Sequence, residues 1–337
     1  MNSFSINSKI LRLTFAFSLS VLVLSFIFMQ FDFSTIDQLL SNISPWYLFP
    51  ALLINIIAIW ATSYKFNIFF NTVKSNPSLS MLFLYSVVSL HFFAINFFPF
   101  RLGEASFFLL LKKKYTAHVN FTNLFLSRII DTIVIFGLLS FSSIKIFTYK
   151  EILFFFSNTK WSSLLYFIIV GLFILFSLYL LQWRWNLLSK SFTIVTKINI
   201  FSKIFATLVH AKNMLMHFWK EKKLQLFLIS IFSLLQYLLF SLSMYFLYNF
   251  FSINLTYWQI LWLGSVCTVI GFFPIHGILG LGSTQIIAIA ILLLFGIPKE
   301  ICAPLSIGIH LIFLINITIL GLIGGIIYLA INYSNND

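Results

Sequence analysis

A chain of 337 residues in which 60% are hydrophobic and 9% charged cannot cover itself with a water-facing surface, because a soluble domain is roughly half apolar and about a quarter charged. The mean hydropathy of +1.01 agrees. The net charge of +13 does not mark a nucleic-acid binder, since the basic residues stand between apolar runs, where they set membrane orientation. The only two cysteines, Cys267 and Cys302, lie in apolar segments and offer neither a disulfide framework nor a CxxC site.

A membrane-spanning helix needs about 20 apolar residues. Taken in order, the first candidate is Leu11–Met29, which follows Lys9 and Arg12. It resembles a signal peptide, but no small-residue cleavage site follows, so it is read as an uncleaved first helix. Trp46–Thr62 comes next, then Leu79–Phe98. This third segment leads into Pro99, Arg101-Leu102-Gly103-Glu104, the short run Ala105–Leu111 and the triple lysine Lys112–Lys114. The run is too short to span, so the chain is expected to enter, break near Pro99 and return to the side it came from. Phe121–Ile144 and Ser162–Leu181 follow. Residues 197–220 then alternate polar positions (Lys203, His210, His217, Lys220) with an apolar stripe (Phe201, Phe205, Leu208, Trp219), the pattern of a basic helix lying flat at the cytoplasmic interface, either as a simple anchoring connector or as a surface that attracts anionic lipid. The last candidates are Leu224–Phe250, Trp258–Phe273, Gly280–Phe295 and Ile301–Leu329.

Charge distribution supports the returning segment. With the N-terminus in the cytoplasm, 15 basic residues fall inside, among them Lys65 and Lys112–Lys114, and 4 outside; Arg101 and Arg128 remain in the membrane. A full span at Leu79–Phe98 would turn the triple lysine outward and invert every later loop, against the positive-inside bias. The C-terminus is then cytoplasmic too. The second half holds a comparable interruption. Asn96-Phe97-Phe98-Pro99-Phe100-Arg101-Leu102-Gly103 has a counterpart in Gly271-Phe272-Phe273-Pro274-Ile275-His276-Gly277-Ile278-Leu279-Gly280-Leu281-Gly282. Paired Pro/Gly-interrupted segments in opposite halves point to an inverted-repeat transporter. The expected fold is an all-α polytopic membrane protein of about six full spans plus two re-entrant helical hairpins, with repeat halves 1–150 and 160–330 in a single transmembrane domain.

Four charges lie in or beside the hydrocarbon: Arg101, Glu104, Arg128 and Asp131. Each costs roughly 2.5–3.5 kcal/mol unpaired at a helix centre, so the two pairs are expected to meet, with Arg101 facing Asp131 or Arg128 facing Glu104. Such a cluster is either a polar pocket for a charged head group or coupling proton, or a salt-bridged clamp. Gly103, Gly280, Gly282, His276 and Gln285 complete the candidate substrate-binding set at the breaks, and His91, Asn96, His310 and Asn316 are further polar groups in apolar surroundings. No zincin, Walker A or GxSxG pattern occurs, and the outer loops offer only scattered acidic residues. No metal, cofactor or catalytic residue is expected.

The stretch from Phe97 to Tyr115, followed by Arg128-Ile129-Ile130-Asp131, resembles the flippase-like integral membrane family that includes the transmembrane region of lysylphosphatidylglycerol synthetases. Pro99, Arg101, Gly103 and Glu104 match its first motif, Arg128 and Asp131 its second, and Gly280-Leu281-Gly282-Ser283-Thr284-Gln285 its third. Two positions depart: Phe107 stands where an arginine is usual and Gln285 where a glutamate is usual. Joint loss of opposite charges is expected where two groups pair or serve one ligand. The resemblance implies translocation of a lipid or polyprenyl-linked precursor, with Arg101 and Arg128 contacting phosphate. It does not imply aminoacyl transfer, because the chain ends at Asp337 without the soluble domain of the synthetases. A membrane-embedded transferase on lipid-linked sugars and a non-catalytic subunit of an envelope-synthesis complex are the alternatives. Oligomeric state is not legible.

Overall fold

The structure, a computed structural model, describes residues 44–72, 79–98, 102–146, 213, 216–271 and 282–334. Leu11–Met29, Ser162–Leu181 and most of the 197–220 helix lie outside the described residues. The elements are α1 (Leu48–Thr72), α2 (Met81–Phe97), α3 (Glu104–Leu111), α4 (Ala117–Ile146), α5 (Lys223–Phe250), α6 (Tyr257–Gly271), α7 (Ser283–Leu294) and α8 (Lys299–Ser334). Among the described residues the regular structure is helical, as lipid requires when it offers no partners for backbone N–H and C=O groups. Four helices, α1, α4, α5 and α8, are long and apolar enough to cross a membrane.

The other four are short for a physical reason. At 1.5 Å per residue, the 17 residues of α2 reach about 25 Å and the 8 of α3 about 12 Å, against a hydrocarbon core of about 30 Å. Ser80 starts α2 by accepting the Phe83 N–H at 3.2 Å. Phe98 ends it in an extended conformation, φ −89° and ψ 133°, as expected of a residue that precedes proline. The chain then doubles back. Gly103 passes so close to Ala94 that a Cβ there would enter the Ala94 carbonyl group, and His91 Nδ1 lies 3.0 Å from Ser106 Oγ. Tyr115, just past the lysine turn, stacks on Phe70 at 4.4 Å. The lysine turn therefore sits at the C-terminal end of α1, as expected of a segment that returns. α6 and α7 form the second hairpin: Cys267 Sγ lies 3.9 Å from the Thr284 carbonyl.

α1 and α5 run antiparallel, with Ser44 N–H donating to the Phe250 carbonyl at 3.0 Å and Tyr64 packed on Phe232 at 4.6 Å. α2 lies along α8, where Gly321 and Gly324 admit Phe93 and Ser89 closely. α6 lies along α4, where Trp262 donates to Ser143 Oγ at 2.8 Å. This pairing survives exchange of the halves: α1 pairs with its counterpart α5, and each hairpin's first helix packs on the last helix of the opposite half. Two apolar clusters fill the interior, one around Phe66, Phe70, Leu84 and Phe107, the other around Leu247, Ile260, Leu292 and Leu305. Leu322, Ile326 and Leu329 form an exposed apolar stripe on α8.

Two details differ from the sequence reading. The helix expected to stop at Thr62 continues to Thr72, so Lys65 is not a loop charge but lies inside it, almost fully buried. Of the described part of the 197–220 segment, Phe218 is buried against Phe69, whereas Trp219 is exposed.

Cysteines placed at Lys113 and at Asn71 are expected to react with impermeant maleimide from the same side of the membrane; labelling from opposite sides would rule out the returning hairpin. Gly103→Ala is expected to cost on the order of 2 kcal/mol or more, because its methyl meets fixed backbone rather than a movable side chain. A chemical or thermal unfolding series in detergent measures it.

Candidate functional site

The site grows from the first turn of α3 and the middle of α4. Glu104 opens α3 as its first residue, and Arg128 Nη2 donates to its Oε1 at 2.8 Å. Of the two pairings the sequence left open, Arg128 with Glu104 is therefore formed. Arg101 lies outside the described residues, as do His276 and Gly280. Asp131 is held by a different cation: Lys65 of α1 donates to its Oδ1 at 2.8 Å, while Arg128 Nη1 stays 3.9 Å from Oδ2. Arg128 is thus not the principal partner of Asp131, despite their spacing of three on one helix.

The two ion pairs live in different surroundings. Lys65 and Asp131 are each 1% exposed. Ser233 Oγ also donates to Asp131 Oδ1 at 2.8 Å, Ser127 to Oδ2 at 3.3 Å, and Lys65 donates to Gln236 Oε1 at 3.1 Å. A buried ion pair survives only with such extra hydrogen bonds. Arg128 and Glu104 are 29% and 21% exposed and face a cavity of about 360 Å³. Arg128 Nε has no hydrogen-bond partner, so part of the guanidinium's donor capacity is unused.

The cavity joins the two interruptions. Asn96, Glu104 and Arg128 line it from the first, and Gly271, Thr284 and Gln285 from the second; Tyr237 of α5 and His310 of α8 close the sides. Its volume falls in the range of small-molecule sites, about 300–1,000 Å³, and its lining is mostly apolar with a few convergent polar groups. Gly282 is buried and takes φ +126°, a conformation that side chains rarely adopt. Its N–H donates to Gln285 Oε1 at 2.6 Å, so Gln285 caps α7. Phe107 is fully buried among Phe66, Phe70 and His91. It does not line the cavity and Gln285 does, so the two positions where charges are missing do not share one place.

Sequence reasoning missed Lys65, Gln236 and Ser233. The signal for Lys65 was the run Phe66-Asn67-Ile68-Phe69-Phe70, too apolar for a loop. The signal for the others was their spacing of three inside the apolar segment of α5.

Interrupted helices packed around a mostly apolar cavity that carries one ion pair define a polytopic helical membrane protein. The chain belongs to the lysylphosphatidylglycerol synthase TM region family, whose model matches residues 10–321. Membership ties it to membrane-lipid function. No curated protein and no solved structure matches it.

Removing one partner of the sealed pair strands a buried charge, at a cost of about 3–5 kcal/mol. Lys65→Met is therefore expected to lower stability in detergent more than Lys65→Met combined with Asp131→Leu. Equal losses in a thermal unfolding assay would show that the pair carries no coupling.

Proposed function

We propose that this protein is a flippase-like transporter in which the cavity carries a phosphate-bearing head group while the lipid tail stays in the bilayer. The observation that supports it most is the cavity itself: polar groups from both interrupted hairpins converge on it, and the partly exposed Arg128 side chain lines it. Moving a charged head group through hydrocarbon is prohibitive without such a lining, and a guanidinium grips phosphate in two places. A lipid or polyprenyl-linked substrate suits a cavity that is mostly apolar. Arg101, Gly103, Gly280, Gly282, Gln285 and His276 are proposed to complete the path around Arg128, Glu104 and Asp131.

The proposed setting is the cytoplasmic membrane with both termini cytoplasmic. With Lys65 moved into the membrane, the basic residues divide 14 inside to 4 outside, so the positive-inside bias stands. The exchange symmetry of the helix pairing supports an inverted repeat of halves 1–150 and 160–330, the framework on which alternating access operates. A subunit that only clamps its neighbours would need the ion pairs but not the cavity.

Purified protein in liposomes containing fluorescent phosphatidylglycerol is expected to speed exposure of the label to external dithionite. Arg128→Ala is expected to reduce that rate at least about tenfold, the equivalent of one charge-assisted contact. Full activity in Arg128→Ala would refute its contact with the head group, and an inactive wild-type protein would count against lipid transport.

A further inference from the structure

Gln285 is almost fully buried, yet it lines the cavity. The two ends of its amide can be told apart by chemistry. The backbone N–H of Gly282 only donates, so the atom that receives it at 2.6 Å is the oxygen, Oε1. Thr284 Oγ1 donates to the same oxygen at 3.1 Å. Two donors fill the lone pairs of Oε1 and hold the amide in one orientation. Nε2, with its two N–H bonds, is the other end, and among the described residues nothing accepts from it. A buried donor left unmet is costly, so the cavity is shaped for a group that accepts there.

The hydroxyls that α6 brings to the same cavity have the opposite character. Ser265 Oγ donates to the Leu261 carbonyl and Thr268 Oγ1 to the Gly264 carbonyl, each at 2.7 Å. Their hydrogens are committed, so what they offer to the cavity is an acceptor oxygen. An ammonium only donates. It finds acceptors at Ser265 and Thr268 but meets another donor at Gln285. The carboxylate that the described lining contains, Glu104, is already held by Arg128 at 2.8 Å. A hydroxyl both donates and accepts, so it satisfies both kinds of group and brings no second charge to desolvate.

We propose that Gln285 selects the head group: beside a phosphate at Arg128 the cavity takes an uncharged, hydroxyl-bearing group, as in a glycerol or sugar phosphodiester, and turns away an ammonium. The proposal rests on the transport reading for the phosphate at Arg128. Arg128 reaches the cavity from the first half and Gln285 from the second, so one molecule bridges the two. A carboxylate at this position would keep the oxygen that caps α7 and put a charged acceptor where Nε2 stands. Exchange of that single group therefore reverses which head group fits.

Calorimetry on the full chain in detergent micelles at about pH 8, where an introduced carboxyl is ionised, tests this with four probes. They are phosphatidylglycerol, phosphatidylmethanol, phosphatidylethanolamine and the acyl-free head group glycerophosphoglycerol. Phosphatidylmethanol carries the same phosphodiester charge without hydroxyls. The wild type is expected to bind phosphatidylglycerol about tenfold more tightly than phosphatidylmethanol, the equivalent of one or two hydrogen bonds, and phosphatidylethanolamine more weakly than either. Gln285→Glu is expected to raise affinity for phosphatidylethanolamine relative to phosphatidylglycerol by at least about tenfold, through a charge-assisted contact. A residue that only capped α7 would change all affinities together, so an unchanged ratio in Gln285→Glu overturns its selecting role. Equal binding of phosphatidylglycerol and phosphatidylmethanol by the wild type overturns the hydroxyl preference and leaves the transport reading standing. Phosphatidylethanolamine bound as tightly as phosphatidylglycerol overturns the exclusion of ammonium. Binding of the acyl-free head group but not of phosphatidylglycerol supports the hydroxyl site and counts against a lipid source. Binding of none of the four overturns both readings. The wild-type order decides the matter even if the variant fails to fold.

Discussion

Hydrocarbon offers no hydrogen bonds, so any stretch of backbone that leaves the helix at membrane depth must be enclosed by protein or face water. Among the described residues, α2 gives way to extended backbone at Phe98, and Gly282, which leads into α7, is non-helical. Each hairpin is closed from within. At the first, Gly103 lets the returning chain touch Ala94, and Tyr328 of α8 donates to the Leu110 carbonyl at 3.0 Å. At the second, Gln285 takes the N–H of Gly282. The four long helices then surround both hairpins. Because α2 and α6 lie against helices of opposite halves, their broken ends converge on a shared interior space, and that space is the cavity.

The same constraint sorts the charges. An ion pair removed from water loses more in desolvation than it regains by attraction unless further hydrogen bonds complete it. Lys65–Asp131 has those bonds, from Ser127, Ser233 and Gln236, and stays sealed. Three helices, α1, α4 and α5, are tied by it. Arg128–Glu104 is partly exposed and opens on the cavity. Under the transport reading proposed above it is exchanged for a ligand without unlocking the helices, because the sealed pair, less than one turn further along α4, keeps α4 in place. In the transport reading, structural and ligand-handling duties, which the sequence offered as alternatives for one cluster, are divided between two pairs.

Much of the fold was legible because lipid makes length decisive. Trp46–Thr62, Phe121–Ile144, Leu224–Phe250 and Ile301–Leu329 fall in the four long helices, and Ala105–Leu111, too short to span, forms the short helix that packs back on α2. The Arg128–Glu104 pair was legible for the same reason: isolated charges in such a chain have few places to go. What was not legible depended on which helix faces which. Lys65 looked like one more basic loop residue until α1 proved longer than its most apolar core. Ser233 and Gln236 are unremarkable until α5 crosses α1. His91 is a lone histidine in an apolar helix, and only the return of α3 sets Ser106 and Glu104 beside its two ring nitrogens. Phe107 and Gln285 departed together from the family pattern, yet the fold sends one into the core and the other to the cavity.

The halves exchange in their packing but not in their charge. Lys65, Glu104, Arg128 and Asp131 all belong to the first half, whereas the second half's share of the cavity wall carries neutral groups such as Ser265, Thr268, Thr284 and Gln285. A frame whose helix pairing is the same from either half, but whose charge lies on one side, orients what it holds in the transport reading proposed above. In that reading, an anionic group settles against the first half, near Arg128, and the uncharged part of the same molecule meets hydroxyls and amides on the second. If the frame rocks between two states related by its own exchange, the anion stays with the first half throughout. Movement of the opposite wall, which makes the weaker contacts, then opens the cavity. The neutral substitution at Gln285 fits this division, because its amide oxygen still caps α7 while adding no charge to compete with the anion.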